Sequence, residues 1–131
     1  MEQPAKMNGK VASAGILFFI ILALFGGILK NPFIYDDYFF ILANSSFKTT
    51  LNPLHYFTNA EASEPESDLG KGDQYRPLSS WLLALQFELG EREPFLFHAV
   101  SVVLHAVNAV LFFFILLLLF DSVPLAFAGA L

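Results

Sequence analysis

Two adjacent carboxylates, Asp36 and Asp37, come a few residues after an uncharged apolar run, Val11 to Leu29. Charge beside a bilayer is costly, so an acid there marks either the boundary of a span or a working group. As a working group, a carboxylate can act as a general base that removes a proton from an attacking hydroxyl. As a boundary marker, it can cap a short helix through its side-chain oxygen. The residues alone leave both roles open.

A stripe of polar side chains lies in the second apolar run, Phe95 to Phe120. Its members are three, four and three residues apart, which places them on one helix face: His98, Ser101, His105 and Asn108. No polar side chain follows from Ala109 to Phe120, so the stripe occupies one half of the run. Polar side chains within a span turn toward other helices or a water-filled cavity. We expect hydrogen bonds between helices for Ser101 and Asn108, and for His98 equally a place in a cavity wall.

These polar residues do not predict a metal site. His98 and His105 are two helical turns apart, about 10 Å along the axis, which is too far for one ion. The acidic segment Glu61 to Asp73 lacks the spacing of an EF-hand loop and is predicted to be a solvated loop. The sequence leaves open whether a divalent cation assists.

A cation stands at the start of a predicted helix. Arg76 precedes Pro77, a residue type suited to the first helical position. A helix N-terminus and an arginine fork together could hold an anion. The simpler interpretation, which the spacing alone favours, is a loop arginine paired with one of the many nearby acids.

The composition indicates a membrane protein. Of 131 residues, 56% are hydrophobic and 15% charged, and the charges cluster at the N-terminus and in the middle. The absence of Cys excludes a disulfide framework and thiolate chemistry. A net charge of −5 without clustered Lys and Arg argues against a nucleic-acid partner.

The apolar runs predict an all-α integral membrane protein with two transmembrane helices and the start of a third. About 20 apolar residues cross roughly 30 Å of hydrocarbon, and both runs meet that length. The predicted order is a cytoplasmic N-terminus (1–10), a first span (11–29), a non-cytoplasmic loop (30–94), a second span (95–120), and a turn with the truncated start of a third span (121–131). The orientation follows from the two N-terminal lysines. A chain that stops inside an apolar element indicates a fragment, and we expect the fragment alone to be inactive.

The loop is predicted to contain short helices at the membrane surface, near 37–43 and 77–89. The second one has Pro77 at its start and Gly90 after its end. Its 13 or so residues would span about 20 Å, too little to cross a bilayer. We therefore expect it to lie at the interface with Trp81 as an anchor. The alternative is a helix packed inside an extracellular subdomain.

Three groups of residues, taken in order, resemble a known family. They are Phe33-Ile34-Tyr35-Asp36-Asp37 with Ile41 and Asn44, then Tyr75-Arg76-Pro77-Leu78, then Phe97-His98 with Leu104-His105-Ala106 and Asn108. This set is similar to the N-terminal region of the transmembrane and tetratricopeptide-repeat protein O-mannosyltransferases and their bacterial relatives, which are polytopic glycosyltransferases of the GT-C fold. The resemblance covers roughly residues 31–120. The chain departs from the family at Ser101, where an Asn is expected, and in having no tetratricopeptide repeats.

The resemblance implies sugar transfer at the membrane surface. In GT-C enzymes an acid just after the first span acts on a sugar attached to polyprenyl phosphate, and the matching position here is Asp36, with Asp37 as its neighbour. The implied chemistry is general-base removal of a proton from an acceptor hydroxyl, which then attacks the anomeric carbon. A cation such as Arg76 would stabilise the lipid-phosphate leaving group. Tyr75 and His98 complete the candidate substrate-binding residues.

The leading hypothesis is therefore the N-terminal part of a membrane glycosyltransferase. It would move a sugar, mannose by the family's name, from a polyprenyl-phosphate donor to a protein or glycan hydroxyl. The alternative is a small non-enzymatic membrane protein that binds an assembly partner through its helices. For the compartment of this multi-pass protein, we favour the bacterial inner membrane over the endoplasmic reticulum.

Overall fold

The computed structural model describes residues 3–35, 37–42, 50–59 and 75–131, and all regular structure in these ranges is helical. The elements are α1 (Gln3–Phe25) with a 3-10 turn (Gly26–Lys30), a π-helical turn (Tyr38–Leu42), α2 (Pro53–Thr58), α3 (Pro77–Gly90), α4 (Pro94–Phe120) and α5 (Val123–Ala130). The all-helical prediction is confirmed for this part of the chain. The short helix α2 was not predicted from the sequence.

The residues group into two compact units, each described by itself. The long-helix unit comprises Met1–Leu29 and His98–Leu131. It contains α1, most of α4, and α5. The loop unit comprises Lys30–Phe97 and contains the π-helical turn, α2 and α3.

Two helical segments are long and apolar enough to cross a membrane, Met7–Lys30 and Pro94–Phe120. Helices suit hydrocarbon because they bond their backbone groups within one segment. In the most apolar window of each segment, only 17% and 28% of the residues are buried inside the chain. The core helix of a soluble protein would be mostly buried, so these exposed apolar surfaces indicate a membrane protein. The orientation of the spans stays a prediction.

The long-helix unit is held by one buried cluster. Small and large side chains recur on α4 at three- and four-residue intervals, and α1 and α5 add to them: Ala106, Ala109, Phe113 and Leu117 with Ala14, Leu17, Ile21, Ala126 and Ala130. Alanines allow helices to approach closely, and the larger side chains fill the space between them. Lys10 Nζ lies 3.6 Å from Asp121 Oδ1, an ion pair that stabilises little because the Asp121 side chain is 92% exposed. The continuation of α5 as a third span stays a prediction.

The helix α3 is central to the loop unit. On one side, its Ala84 and the α2 residue Tyr56 are both fully buried. A second cluster is formed by Phe33, Ile41 and Phe97. The α3 residues Leu83 and Phe87 pack against both clusters. The unit therefore has a small apolar core of its own, arranged around α3.

The indole of Trp81 bears on the predicted interfacial position of α3. Its Nε1–H donates a hydrogen bond of 2.9 Å to the Leu51 carbonyl, and its ring packs against the cluster of Tyr56 and Ala84. A tryptophan whose N–H is bonded within the protein supports the alternative of a packed helix. The interfacial position of α3 stays a prediction.

Candidate functional site

The acidic segment lies between two buried apolar side chains. Phe33, 7% exposed, packs its ring edge-on against Phe97 with 5.3 Å between the centroids. Ile41, 5% exposed, enters the same cluster four residues after Asp37. Between these two buried residues, Ile34, Tyr35 and Tyr38 are exposed and Asp37 is half-buried. Asp37 therefore lies between two residues of the apolar core.

Asp37 closes a tight turn with Ile34. Its N–H donates to the Ile34 carbonyl at 3.0 Å, and its Oδ2 accepts the Ile34 N–H, also at 3.0 Å. This second bond runs backward along the chain, like the reverse bond of a capping box. The sequence predicted a cap directed forward onto the next helix. The observed bond fixes the carboxylate and engages one of its two oxygens.

Several predicted features lie outside the described residues. Asp36, the favoured base, is one of them. The segment 43–49, which contains Asn44, and the acidic loop 60–74 are others. Their roles therefore stay predictions from the sequence.

The helix α2 positions the segment that carries Tyr75. Asn52 accepts the Leu54 N–H at 3.1 Å and caps the helix, and Pro53 occupies its first turn. Near the end of α2, the Phe57 carbonyl accepts a 2.7 Å hydrogen bond from the Tyr75 hydroxyl. Tyr75 is half exposed, and its hydroxyl holds the chain to α2. The Asn-Pro pair was the sequence signal that could have predicted α2.

Arg76 is the N-cap residue of α3. Its carbonyl accepts the Ser80 N–H at 3.0 Å, and its side chain makes no capping bond. The side chain is exposed. Among the described residues, no acid lies within ion-pair distance of the guanidinium. The loop ion pair predicted as the simpler role is thus not observed with any described acid.

The structure brings Asp37, Tyr75 and Arg76 into one unit. No hydrogen bond or ion pair recorded for the described residues joins Asp37 to either of the other two. The shared scaffold is α3, which carries Arg76 at its start and Leu83 in the cluster beside the acidic turn. Seven residues separate Arg76 from Leu83, about 10 Å along the helix axis. The cation and the acid are therefore held by one framework without neutralising each other.

His98 belongs to the long-helix unit, together with the rest of the polar stripe. Ser101, His105 and Asn108 are exposed, and the buried face of α4 is displaced from them by one position, at Val102, Ala106 and Ala109. The His105 ring lies edge-on to Phe25, with 4.8 Å between the ring centroids. Hydrogen bonding of the stripe to further helices stays a prediction.

A metal centre was not predicted from the sequence, and the described residues contain no group of three or more His, Asp or Glu side chains that could hold one. The acids in 60–74 and Asp36 lie outside this description.

Burial raises the pKa of Tyr56 above its ordinary value of 10.0, because the phenolate is poorly solvated inside the loop unit. As the pH rises, the Tyr56 hydroxyl therefore loses its proton at a lower pH in the unfolded chain than in the folded one. Stability is fully present below about pH 10 and falls as the pH rises toward the higher pKa of the folded state. We expect protease resistance of the loop unit to decline above this pH. The Tyr56→Phe variant has no phenol to ionise, so its protease resistance should decline less above this pH. An identical pH profile in both proteins would contradict the attribution of the decline to Tyr56.

Comparison with known proteins finds two similar sequences. The chain is 27% identical over 121 residues to protein O-mannosyl-transferase TMTC3 of Mus musculus, a match that covers 88% of this chain and 13% of that protein. It is 27% identical over 103 residues to protein O-mannosyl-transferase TMTC3 of Homo sapiens, with 79% and 11% covered. The chain spans about an eighth of the length of these curated relatives. The similarity indicates a distant relationship to this family, the one that the sequence resembles.

No family model and no solved structure matches the chain. The GT-C fold expected from the resemblance therefore stays a prediction. Three more general features are supported. The described residues form helices, two segments are able to cross a membrane, and the chain is distantly related to a protein O-mannosyl-transferase.

Proposed function

We propose that this chain is the N-terminal region of a membrane glycosyltransferase that transfers a sugar from a polyprenyl-phosphate donor to a hydroxyl of a protein or glycan. The observation that carries the proposal is the similarity to the two O-mannosyl-transferases over most of this chain. The family's name supports mannose as the sugar. A compartment in the bacterial inner membrane, rather than the endoplasmic reticulum, is part of the same proposal.

The proposed reaction gives each candidate residue a role. Asp36 takes the proton of the acceptor hydroxyl, whose oxygen forms a bond to the anomeric carbon. The bond from that carbon to the phosphate oxygen breaks, and polyprenyl phosphate leaves with the electron pair. Arg76 stabilises the charge that develops on the leaving phosphate. Tyr75 and His98 bind the substrates, and Asp37 supports the backbone beside Asp36.

The positions of Arg76 and Asp37 support the roles proposed for these residues. Arg76 is exposed at the start of α3, and the N–H groups of an exposed guanidinium can donate hydrogen bonds to a phosphate. Asp37 is bonded to the Ile34 N–H, and the Tyr75 hydroxyl is bonded to the Phe57 carbonyl. The first bond holds Asp37 against Ile34, and the second holds Tyr75 against the end of α2.

The role of Arg76 is tested by Arg76→Gln, with Arg92→Gln as the matched control. Both arginines are exposed, and Arg92 lies in the turn that follows α3. Loss of a donor that stabilises transition-state charge typically costs about 10²–10³-fold in rate. We expect Arg76→Gln to lower transfer of labelled mannose from polyprenyl phosphate by this factor, and Arg92→Gln to stay near the wild-type rate.

The experiment uses the complete polypeptide as its host expresses it, in isolated membranes, with protein amounts equalised by immunoblot. Equal rates for the two variants would contradict the proposed role of Arg76. Rates measured over a range of donor concentrations also give the concentration at which each variant reaches half of its maximal rate. A change in that value without a change in maximal rate would assign Arg76 to binding the donor and not to stabilising the transition state.

A second candidate function is a non-enzymatic membrane protein that binds an assembly partner. The observation that favours it is the Asp37 carboxylate, which accepts the Ile34 N–H at 3.0 Å and so has a structural task already. Under this hypothesis Asp37 closes a turn that follows the first span, and the exposed residues Ser101, His105 and Asn108 of α4 meet a partner helix. Membranes with the wild-type protein would then show only background transfer, and variants of Asp36 and Arg76 would not change that level.

A further inference from the structure

The turn that ends at Asp37 presents large apolar and aromatic side chains outward. Ile34 is 68% exposed, Tyr35 82% and Tyr38 54%, whereas the preceding Phe33 is 7% exposed. These three exposed side chains are contiguous or nearly so in sequence and take no part in the clusters of the loop unit. Exposed apolar side chains this close together in the sequence are suited to a surface that meets an apolar partner.

The backbone at Tyr35 indicates that this display is built into the turn. Its φ of +42° lies in the left-handed region, which a bulky side chain adopts at a steric cost and glycine adopts freely. The turn around it is closed by the two bonds between Ile34 and Asp37. Backbone strain persists where the surrounding structure imposes it, and it is most frequent at functional sites. An aromatic ring therefore occupies the tip of the turn, at a position where glycine would be sterically less costly.

The chain itself limits how far this tip can be from a bilayer. Lys30 is the last residue of the segment Met7–Lys30 that can cross a membrane, and it belongs to the same unit as Tyr35. Five residues reach at most about 18 Å when fully extended. The headgroup layers add roughly 5–8 Å on each side of the hydrocarbon core. Tyrosine is enriched at this depth, because its ring is apolar and its hydroxyl can stay in water.

We propose that Ile34, Tyr35 and Tyr38 insert into the boundary between lipid headgroups and acyl chains. The partner is a lipid surface, favoured over a peptide or a second protein because the covalent link to the span keeps the turn beside the bilayer whatever else binds. The turn then holds the Asp37 carboxylate at headgroup depth. This inference goes beyond the proposed function and stands without it, since it concerns where the turn lies and not what it catalyses.

The absence of Cys in the chain allows a direct test. Tyr35→Cys, labelled with a nitroxide and reconstituted in phosphatidylcholine vesicles, places one spin label at the tip of the turn. Leu54→Cys is the matched control, because Leu54 is an apolar residue of the same unit and is 66% exposed. Oxygen partitions into the bilayer and a nickel chelate stays in water. We expect oxygen to relax the label at the tip more strongly than the chelate does, and the reverse for the label in the Leu54→Cys control.

Two results would overturn the proposal. Stronger relaxation of the tip label by the nickel chelate would place the tip in water. Protection of that label from both reagents would place it against protein. If Tyr35→Cys fails to fold by circular dichroism, Tyr35→Trp keeps a large ring, and Trp81→Phe in the same chain removes the native tryptophan. Quenching of the fluorescence of this double variant by brominated lipids is then expected, and quenching by iodide in its place would refute the insertion.

Discussion

Replacing Asp36 by Asn is expected to lower the rate of sugar transfer by about 10²–10⁴-fold, the usual contribution of a positioned general base. The amide keeps the size and shape of the carboxylate but cannot accept the acceptor's proton at neutral pH. The measurement is the initial rate at which labelled mannose moves from polyprenyl phosphate to the acceptor. It is made with the complete protein in its host membranes.

The matched control is the same substitution at the neighbouring residue. Asp37→Asn retains a side-chain oxygen that can accept the Ile34 N–H, so the turn keeps the 3.0 Å bond that closes it. We expect a much smaller loss of rate than for Asp36→Asn. A greater loss at Asp37 would move the base to that residue, and a wild-type rate in both variants would remove the acids from the mechanism.

Replacing Tyr56 by Ala is expected to lower the free energy of unfolding of the loop unit by about 3–5 kcal/mol, the range for removing a large buried ring. Tyr56 is fully buried against α3, and its hydroxyl donates a 3.0 Å hydrogen bond to the Thr50 carbonyl. Its loss leaves a cavity between α2 and α3. Because Trp81 packs against the same cluster, its fluorescence should shift to longer wavelength as water enters.

Two variants calibrate this result. Tyr56→Phe keeps the ring and loses the bond to Thr50, so we expect a cost near 1 kcal/mol. Leu54→Ala removes an exposed side chain of the same helix and should change stability little. Urea titration followed by Trp81 emission gives all three values. Equal midpoints for Tyr56→Ala and Leu54→Ala would contradict the packing of α2 on α3.

The long helices were predictable from the sequence because length and hydropathy decide them. Uncharged runs predicted spans at 11–29 and 95–120, and the segments able to cross are Met7–Lys30 and Pro94–Phe120. The helix α3 begins at Pro77 and ends at Gly90, two residue types that mark helix ends. By contrast, α2 has six residues, too few for a periodic pattern, and its single signal was Asn52 followed by Pro53.

The site was less predictable, because its geometry depends on contacts between distant residues. The left-handed backbone at Tyr35 cannot be inferred from a tyrosine, and it goes with the backward bond from Ile34 to Asp37. The bond from Tyr75 to Phe57 crosses 18 residues, and the bond from Trp81 to Leu51 crosses 30. Spacing along a chain does not specify such pairs. Trp81 was therefore predicted as a membrane anchor, whereas its N–H is bonded inside the loop unit.

The most direct test of the central claim is sugar transfer by the wild-type protein with two donors compared. Membranes that contain the complete protein are given mannose labelled either on polyprenyl phosphate or on a nucleotide, in the presence of a hydroxyl acceptor and an inhibitor of donor interconversion. We predict labelled acceptor from the lipid-linked donor, above the level in membranes without the protein. Transfer from the nucleotide donor instead, or no transfer above that background from either donor, would contradict the proposed function.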